Sequence, residues 1–87
     1  MLLHAPSEFV GTSLLIGTIA FSGETLWIVL AFATAVFLTG PISGGHLNPA
    51  VTLWAYLSNK ITSTKALHNV IGQIAAAVFV FGLHKYM

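Results

Sequence analysis

A glycine-rich stretch leads into an asparagine–proline pair near the middle of the chain. The stretch reads Gly-Pro-Ile-Ser-Gly-Gly-His-Leu from Gly40, and Asn48-Pro49-Ala50 follows it. Asparagine is a favoured N-cap, and proline is favoured at the first helical position because its missing N–H would be unpaired there anyway. We therefore predict that a helix begins at Asn48, after a stretch from Gly40 to His46 that cannot be regular helix.

The helix predicted from Asn48 is short and apolar. It ends before the polar Ser58-Asn59-Lys60, which leaves about ten residues and roughly 15 Å, half the thickness of a bilayer core. Irregular backbone at membrane depth is tolerated only where it is buried in protein or lines a water-filled cavity. Residues 41–58 are thus predicted to form a re-entrant loop and a half-helix.

Such a helix start could favour neutral solutes over cations. It presents unpaired N–H groups and the positive end of the helix dipole, which repels cations. The Asn48 side chain can accept a backbone hydrogen bond and still donate through its NH₂ group. Glycine carbonyls before it would offer acceptors to a solute that sheds its hydration. On the Asn-Pro pair alone, an ordinary capped helix after a glycine-rich turn is the simpler interpretation.

The composition indicates that lipid is the solvent. Of the 87 residues, 56% are hydrophobic and 6% are charged, whereas soluble domains carry about a quarter charged residues. The net charge of +1 gives no indication of nucleic-acid binding. Three apolar runs supply predicted transmembrane helices, roughly at residues 5–22, 26–40 and 66–85. A signal peptide is disfavoured for the first run, because it lacks a basic start and contains Glu8.

No motif for catalysis or metal binding is visible. The chain has no cysteine, which excludes disulfides and thiolate metal sites. The four histidines have no metal-site spacing, and no nucleophile–base or two-carboxylate arrangement is present. We predict neither an enzyme nor a bound metal or cofactor. Small residues four apart in each apolar run predict close helix packing: Ser13 and Gly17, Ala31 and Ala35, Gly72 and Ala76.

The longer string around the asparagine is more specific than the pair alone. Ser-Gly-Gly-His-Leu-Asn-Pro-Ala-Val-Thr at residues 43–52 closely resembles the first signature loop of the aquaporin, or major intrinsic protein, family. Glu8-Phe9-Val10-Gly11-Thr12 is similar to the start of that family's first helix, and the segment around Gln73 to the start of its third. The resemblance implies an all-α membrane protein, one half of an aquaporin-like fold, with three transmembrane helices and one re-entrant half-helix.

The resemblance also implies roles for individual residues. Asn48, with Pro49 and Ala50, would form the pore centre, and Asn48 would be its donor. Gly44, Gly45 and His46 would line the pore mouth through their carbonyls, with His46 also facing the vestibule. Glu8 would brace the loop by accepting hydrogen bonds from its backbone, and Gln73 would buttress it similarly. A structural brace is favoured for Glu8 over a proton relay, since an ionisable group inside a membrane is expected to be functional or paired.

The sequence departs from the family in containing one half. Family members carry two halves related by an inverted repeat, and their pore forms where two half-helices meet. Three possibilities follow: an antiparallel homodimer, a different partner, or a fragment of a longer channel. Lys60 and Lys65 lie on one side of the predicted membrane and Lys85 on the other, a weak bias that permits insertion in both orientations.

A second departure concerns selectivity. Where the family's second half carries an arginine directly after its Asn-Pro-Ala, this chain has Val51. The resemblance implies that the family's filter positions, twenty and twelve residues before the asparagine, fall on Ile28 and Val36 in this chain. Because all three side chains are aliphatic, we expect a wider and more apolar pore than that of a strict water channel. Proton exclusion would then rest on Asn48 and the helix dipoles.

Together these observations predict a multi-pass protein of the plasma or cell membrane. The expected function is a passive channel for water and small uncharged solutes such as glycerol. Its pore would form between two antiparallel copies, which could cluster into a larger assembly. The alternative is a non-conducting half-channel that assembles with, or modulates, a full-length aquaporin.

Overall fold

The computed structural model describes residues 3–87, which form four α-helices. They are α1 (His4–Phe21), α2 (Thr25–Ser43), α3 (Pro49–Leu57) and α4 (Ser63–Lys85). Helix α1 packs against both α2 and α4, and α3 packs against α4. The described part of the chain is thus all-helical, and α2 and α4 are long and apolar enough to cross a membrane.

The helices bury polar groups and expose apolar ones. The largest fully buried side chains are polar: Glu8, Ser43, Thr52, Asn69 and Gln73. Large apolar side chains such as Phe37, Phe81 and Leu57 are exposed on the outer surface. This distribution is the reverse of that in a soluble domain, where charged residues are almost never fully buried unless paired. It fits a protein whose outer surface is solvated by lipid.

Small residues allow the close approach of α1 and α4. A Cβ added to Gly72 would collide with the carbonyl of Ala5, so this crossing requires glycine. Ala76, one turn further along α4, is fully buried, and Ala31 and Ala35 of α2 are buried as well. Ser13 and Gly17 are half-buried and line a groove of about 640 Å³ between α1 and α2.

Two helix boundaries differ from the predicted ones. We expected α2 to end at Gly40-Pro41, but it continues through Pro41 to Ser43, so residues 40–43 are helical. Proline removes one backbone hydrogen bond and crowds the preceding turn. That cost is offset because Ser43 is tied to Glu8 by a 2.6 Å hydrogen bond, and Gly44 ends the helix in the left-handed region with its N–H donating to the Gly40 carbonyl.

The second difference lies at the start of α4, which begins at Ser63 rather than near Ala66. Thr62 is its N-cap, and the Thr62 side-chain oxygen accepts a 3.2 Å hydrogen bond from the N–H of Lys65. Threonine is a common capping residue, so this boundary could have been read from the sequence.

Candidate pore segment

The loop between α2 and α3 turns back through three left-handed residues. Gly44, Gly45 and Leu47 have φ of 97°, 66° and 57°. Leucine seldom adopts this conformation, and two contacts hold it there. Its N–H donates a 2.8 Å hydrogen bond to Glu8 Oε1, and its buried side chain fills a niche at Gly11, where an added Cβ would lie 2.6 Å from the Leu47 side chain.

Helix α3 begins where the sequence predicts. Asn48 has extended backbone, with φ of −154°, and Pro49 is the first helical residue. The side-chain oxygen of Asn48 accepts a 2.7 Å hydrogen bond from the N–H of Ala50. Because the oxygen is engaged in the cap, the NH₂ group of this exposed residue is the part that can donate to a solute.

Glu8 of α1 lies where α1, the end of α2, the α2–α3 loop and α4 meet, and these four segments position the start of α3. Its carboxylate is fully buried and accepts from the Leu47 N–H, from Gln73 Nε2 at 2.7 Å and from Ser43 Oγ at 2.6 Å. One side chain of α1 therefore ties together the end of α2, the loop and α4. A buried carboxylate needs such donors, since an unpaired charge would be very costly there.

His46 belongs to a second part of the same buried network. Its Nδ1 lies 2.9 Å from Thr52 Oγ1 and 3.2 Å from Asn69 Nδ2. Gln73 Nε2 also donates to Thr52 Oγ1 at 2.9 Å, which joins the His46 group to the Glu8 group. At the other end, His4 Nδ1 lies 3.4 Å from Asn69 Oδ1.

Sequence reasoning missed Ser43, Thr52 and Asn69 as site residues. Each is fully or almost fully buried, and Asn69 and Thr52 had a visible signal. Asn69 precedes Gln73 by four residues and Thr52 follows Asn48 by four, so each shares a helix face, or a cap, with a residue already singled out.

Of the predicted pore-lining residues, all but Ile28 lie in or beside one segment. Gly44, Asn48, Pro49, Ala50 and Val51 are exposed along one continuous segment, with Gly45 and His46 half-buried beside them. Val36 adjoins this segment, since a Cβ on Gly45 would lie 3.3 Å from its side chain. Ile28 is half-buried and lies two turns earlier in α2, roughly 12 Å along the helix axis, so it would line a different level of a pore.

Within residues 3–87 no group of three histidine, cysteine or acidic side chains could hold a metal ion. The segment offers hydrogen-bonding groups: an amide donor at a helix start and an imidazole beside it. These groups can replace the hydration of a small polar molecule without reacting with it.

Comparison with known proteins covers almost the whole chain. The family model described as "Major intrinsic protein" matches residues 4–87. Aquaporin-5 of Ovis aries is 39% identical over 61 residues, which are 66% of this chain and 23% of that protein. Glycerol uptake facilitator protein-like 6 of Lactiplantibacillus plantarum is 38% identical over 81 residues, 83% of this chain and 38% of that protein. Aquaporin PIP-type of Atriplex canescens is 46% identical over 50 residues, 58% of this chain and 18% of that protein.

The chain therefore spans less than two fifths of the length of these relatives. A comparison with solved structures gives no significant match.

Proposed function

Because the chain belongs to the major intrinsic protein family, we propose that it is a passive membrane channel for water and small uncharged solutes such as glycerol. The observation that carries this proposal is the start of α3. Asn48 caps a nine-residue helix, yet the residues at that helix start are exposed rather than covered by the rest of the chain. A buried support holds an exposed donor, as a solute-binding position requires.

In this proposal α1, α2 and α4 cross the bilayer and α3 enters it from one side. A nine-residue helix is about 14 Å long, so it reaches near the middle of a hydrocarbon core of about 30 Å. Its N-terminus then lies at the depth where unpaired N–H groups must find partners in solute or protein. The exposed NH₂ group of Asn48 donates to the passing oxygen, and the helix dipole opposes cations.

The pore is completed by a second, antiparallel copy. The α2–α3 loop contacts the Gly11 and Thr39 region of the α1–α2 pair through Leu47. The groove between α1 and α2 lies at the opposite end of that pair, between residues 13–22 and 27–34. An inverted copy would bring its own loop and half-helix to the end of the α1–α2 pair where the groove lies. This match supports the groove as the binding place of the second copy.

The walls of this pore are aliphatic. Val51 is exposed beside the Asn48 cap, and Val36 and Ile28 are half-buried on α2. Without an arginine or an aromatic ring at these positions, the narrowest part would admit molecules with carbon backbones as well as water. The similarity to a protein named a glycerol uptake facilitator supports glycerol as one such solute.

The experiment that tests this function is stopped-flow light scattering on liposomes that contain only this chain, with water and glycerol gradients in parallel. We expect faster volume changes than in empty liposomes, and we expect Asn48→Asp to reduce them, because a carboxylate replaces the donor at the pore centre. Asn59→Asp makes the same chemical change at an exposed loop residue and should leave permeability unchanged.

Confirmed insertion without any increase in permeability would contradict a self-sufficient channel. If permeability then appeared only on addition of a full-length relative, the function would be that of a subunit or modulator. Equal effects of Asn48→Asp and Asn59→Asp would remove Asn48 from the pore.

A further inference from the structure

We propose that Asn69 is a positioning residue that holds the His46 imidazole in the form with the proton on Nε2. The mouth beside Asn48 thereby presents a second N–H donor to solutes that carry an acceptor oxygen. The proposal concerns the hydrogen-bond chemistry of the pore mouth and rests on the proposed function only for the identity of the solute.

The direction of the network is set by the Ser43 carbonyl, which can only accept. The carbonyl of Ser43 lies 3.4 Å from Asn69 Nδ2, so the NH₂ group of Asn69 must face it. That same NH₂ group lies 3.2 Å from His46 Nδ1, and it has a second hydrogen to donate there. A proton on Nδ1 would set two donors against each other, so Nδ1 must be the acceptor.

The other side of the network is compatible with the same direction, which the Asn69 contacts set. Gln73 Nε2 donates to Glu8 Oε1 and also to Thr52 Oγ1. The Thr52 oxygen therefore accepts from Gln73, and its hydroxyl hydrogen is free to point at His46 Nδ1, 2.9 Å away. Two donors from two different helices converge on one ring nitrogen, and a neutral imidazole then carries its hydrogen on Nε2.

The position of the ring places that hydrogen on the open side. Thr52 and Asn69 are fully buried, whereas His46 is half-buried, so the Nδ1 edge faces inward. The Nε2 edge lies over the exposed Gly44, where an added Cβ would be 3.2 Å from Nε2. The imidazole is thus held like a histidine metal ligand, with one nitrogen engaged by the protein and the other presented outward.

Asn69 is itself oriented from α1. Its Oδ1 lies 3.4 Å from His4 Nδ1, which donates to it in the tautomer that carries its proton on Nδ1, while the NH₂ end serves Ser43 and His46. If the amide were flipped, its oxygen would face the Ser43 carbonyl and its nitrogen would face His4. All three contacts are satisfied only in the orientation observed.

The test is ¹⁵N NMR of the chain in lipid bilayers, with labelled histidine and His46 assigned by its loss in His46→Gln. Protonated and unprotonated ring nitrogens give well-separated signals. In the wild-type chain at neutral pH we expect the protonated signal at Nε2 and the unprotonated one at Nδ1. Asn69→Asp replaces the donor by an acceptor and should move the proton onto Nδ1, while Asn59→Asp, the same change at an exposed position, should leave both signals in place.

A wild-type chain with the His46 proton on Nδ1 would overturn the proposal. This measurement does not depend on whether any variant folds. An unchanged tautomer in a folded Asn69→Asp variant would also overturn it. The NMR result is separable from the proposed function. Liposomes that conduct while His46 carries its proton on Nδ1 would contradict this inference alone, and non-conducting liposomes with the Nε2–H form would contradict the channel alone.

Discussion

At the scale of single residues, the site depends on one buried acid and the donors around it. Glu8 accepts from the loop, from α2 and from α4, and it does so from a fully buried position. A brace of this kind lets the α2–α3 loop hold a strained backbone conformation at Leu47. Strained conformations persist only where the surrounding structure over-determines them.

The first residue-scale prediction is that Glu8→Gln destabilises the fold. A glutamine amide replaces one acceptor oxygen by an NH₂ donor, so the 2.6 Å charge-assisted hydrogen bond from Ser43 Oγ is lost and the remaining bonds to the loop and α4 no longer have a charged acceptor. Leaving a buried polar group unsatisfied costs about 1–3 kcal/mol. Thermal unfolding in detergent, followed by circular dichroism, should show a lower midpoint for this variant.

The matched control is Glu24→Gln, which neutralises an exposed acid at the start of α2. Its midpoint should stay near that of the wild-type chain. A Glu8→Gln variant that is as stable as Glu24→Gln would show that the three hydrogen bonds do not brace the loop.

At the scale of the elements, much of the structure could be predicted from the sequence. Asn48 and Pro49 gave the start of α3 because capping is a local property of the chain. The end of α2 could not be read in the same way. Its passage through Pro41 depends on the contact between Ser43 and Glu8, two residues 35 positions apart in sequence, and local rules for proline contain no such information.

The packing of α1 on α4 gives the element-scale prediction. In Gly72→Ala the new methyl group would collide with the backbone of Ala5. Backbone cannot move aside as a flexible side chain can, so the helices must separate. We expect a loss of stability of about 1–3 kcal/mol, measured by thermal unfolding in detergent.

Gly82→Ala is the control on the same helix, since nothing lies within 4 Å of its added methyl group. Alanine stabilises a helix interior relative to glycine by roughly 0.5–1 kcal/mol, so this variant should be as stable as the wild-type chain or more so. A Gly72→Ala variant of equal or higher stability would contradict the close crossing of α1 and α4.

At the scale of the whole molecule, the structure leaves a helix start and a groove uncovered. The apolar outer surface is explained by lipid, but the exposed Asn48 at a helix start calls for a polar or protein neighbour. The groove between α1 and α2 is lined mostly by apolar side chains, with Ser13 and Thr34 among them. In the proposed channel, an antiparallel copy would be the neighbour of Asn48 and would fill the groove. From the single Asn-Pro-Ala the sequence left three possibilities: an antiparallel homodimer, a different partner, or a fragment of a longer channel. It could not predict the groove, which arises from how α1 and α2 diverge in space.

Thiol crosslinking in bilayers tests most directly whether the half-helices of two copies meet end to end, as the proposed antiparallel pore requires. The natural chain has no cysteine, so Ala50→Cys places a single thiol at the exposed start of α3, and Ser58→Cys places one just past its other end. A disulfide requires Cα atoms within about 7 Å. We expect oxidation to give a covalent dimer with Ala50→Cys and to leave Ser58→Cys monomeric. An inserted Ala50→Cys chain that stays monomeric, or a dimer linked only through Ser58→Cys, would contradict the antiparallel pore.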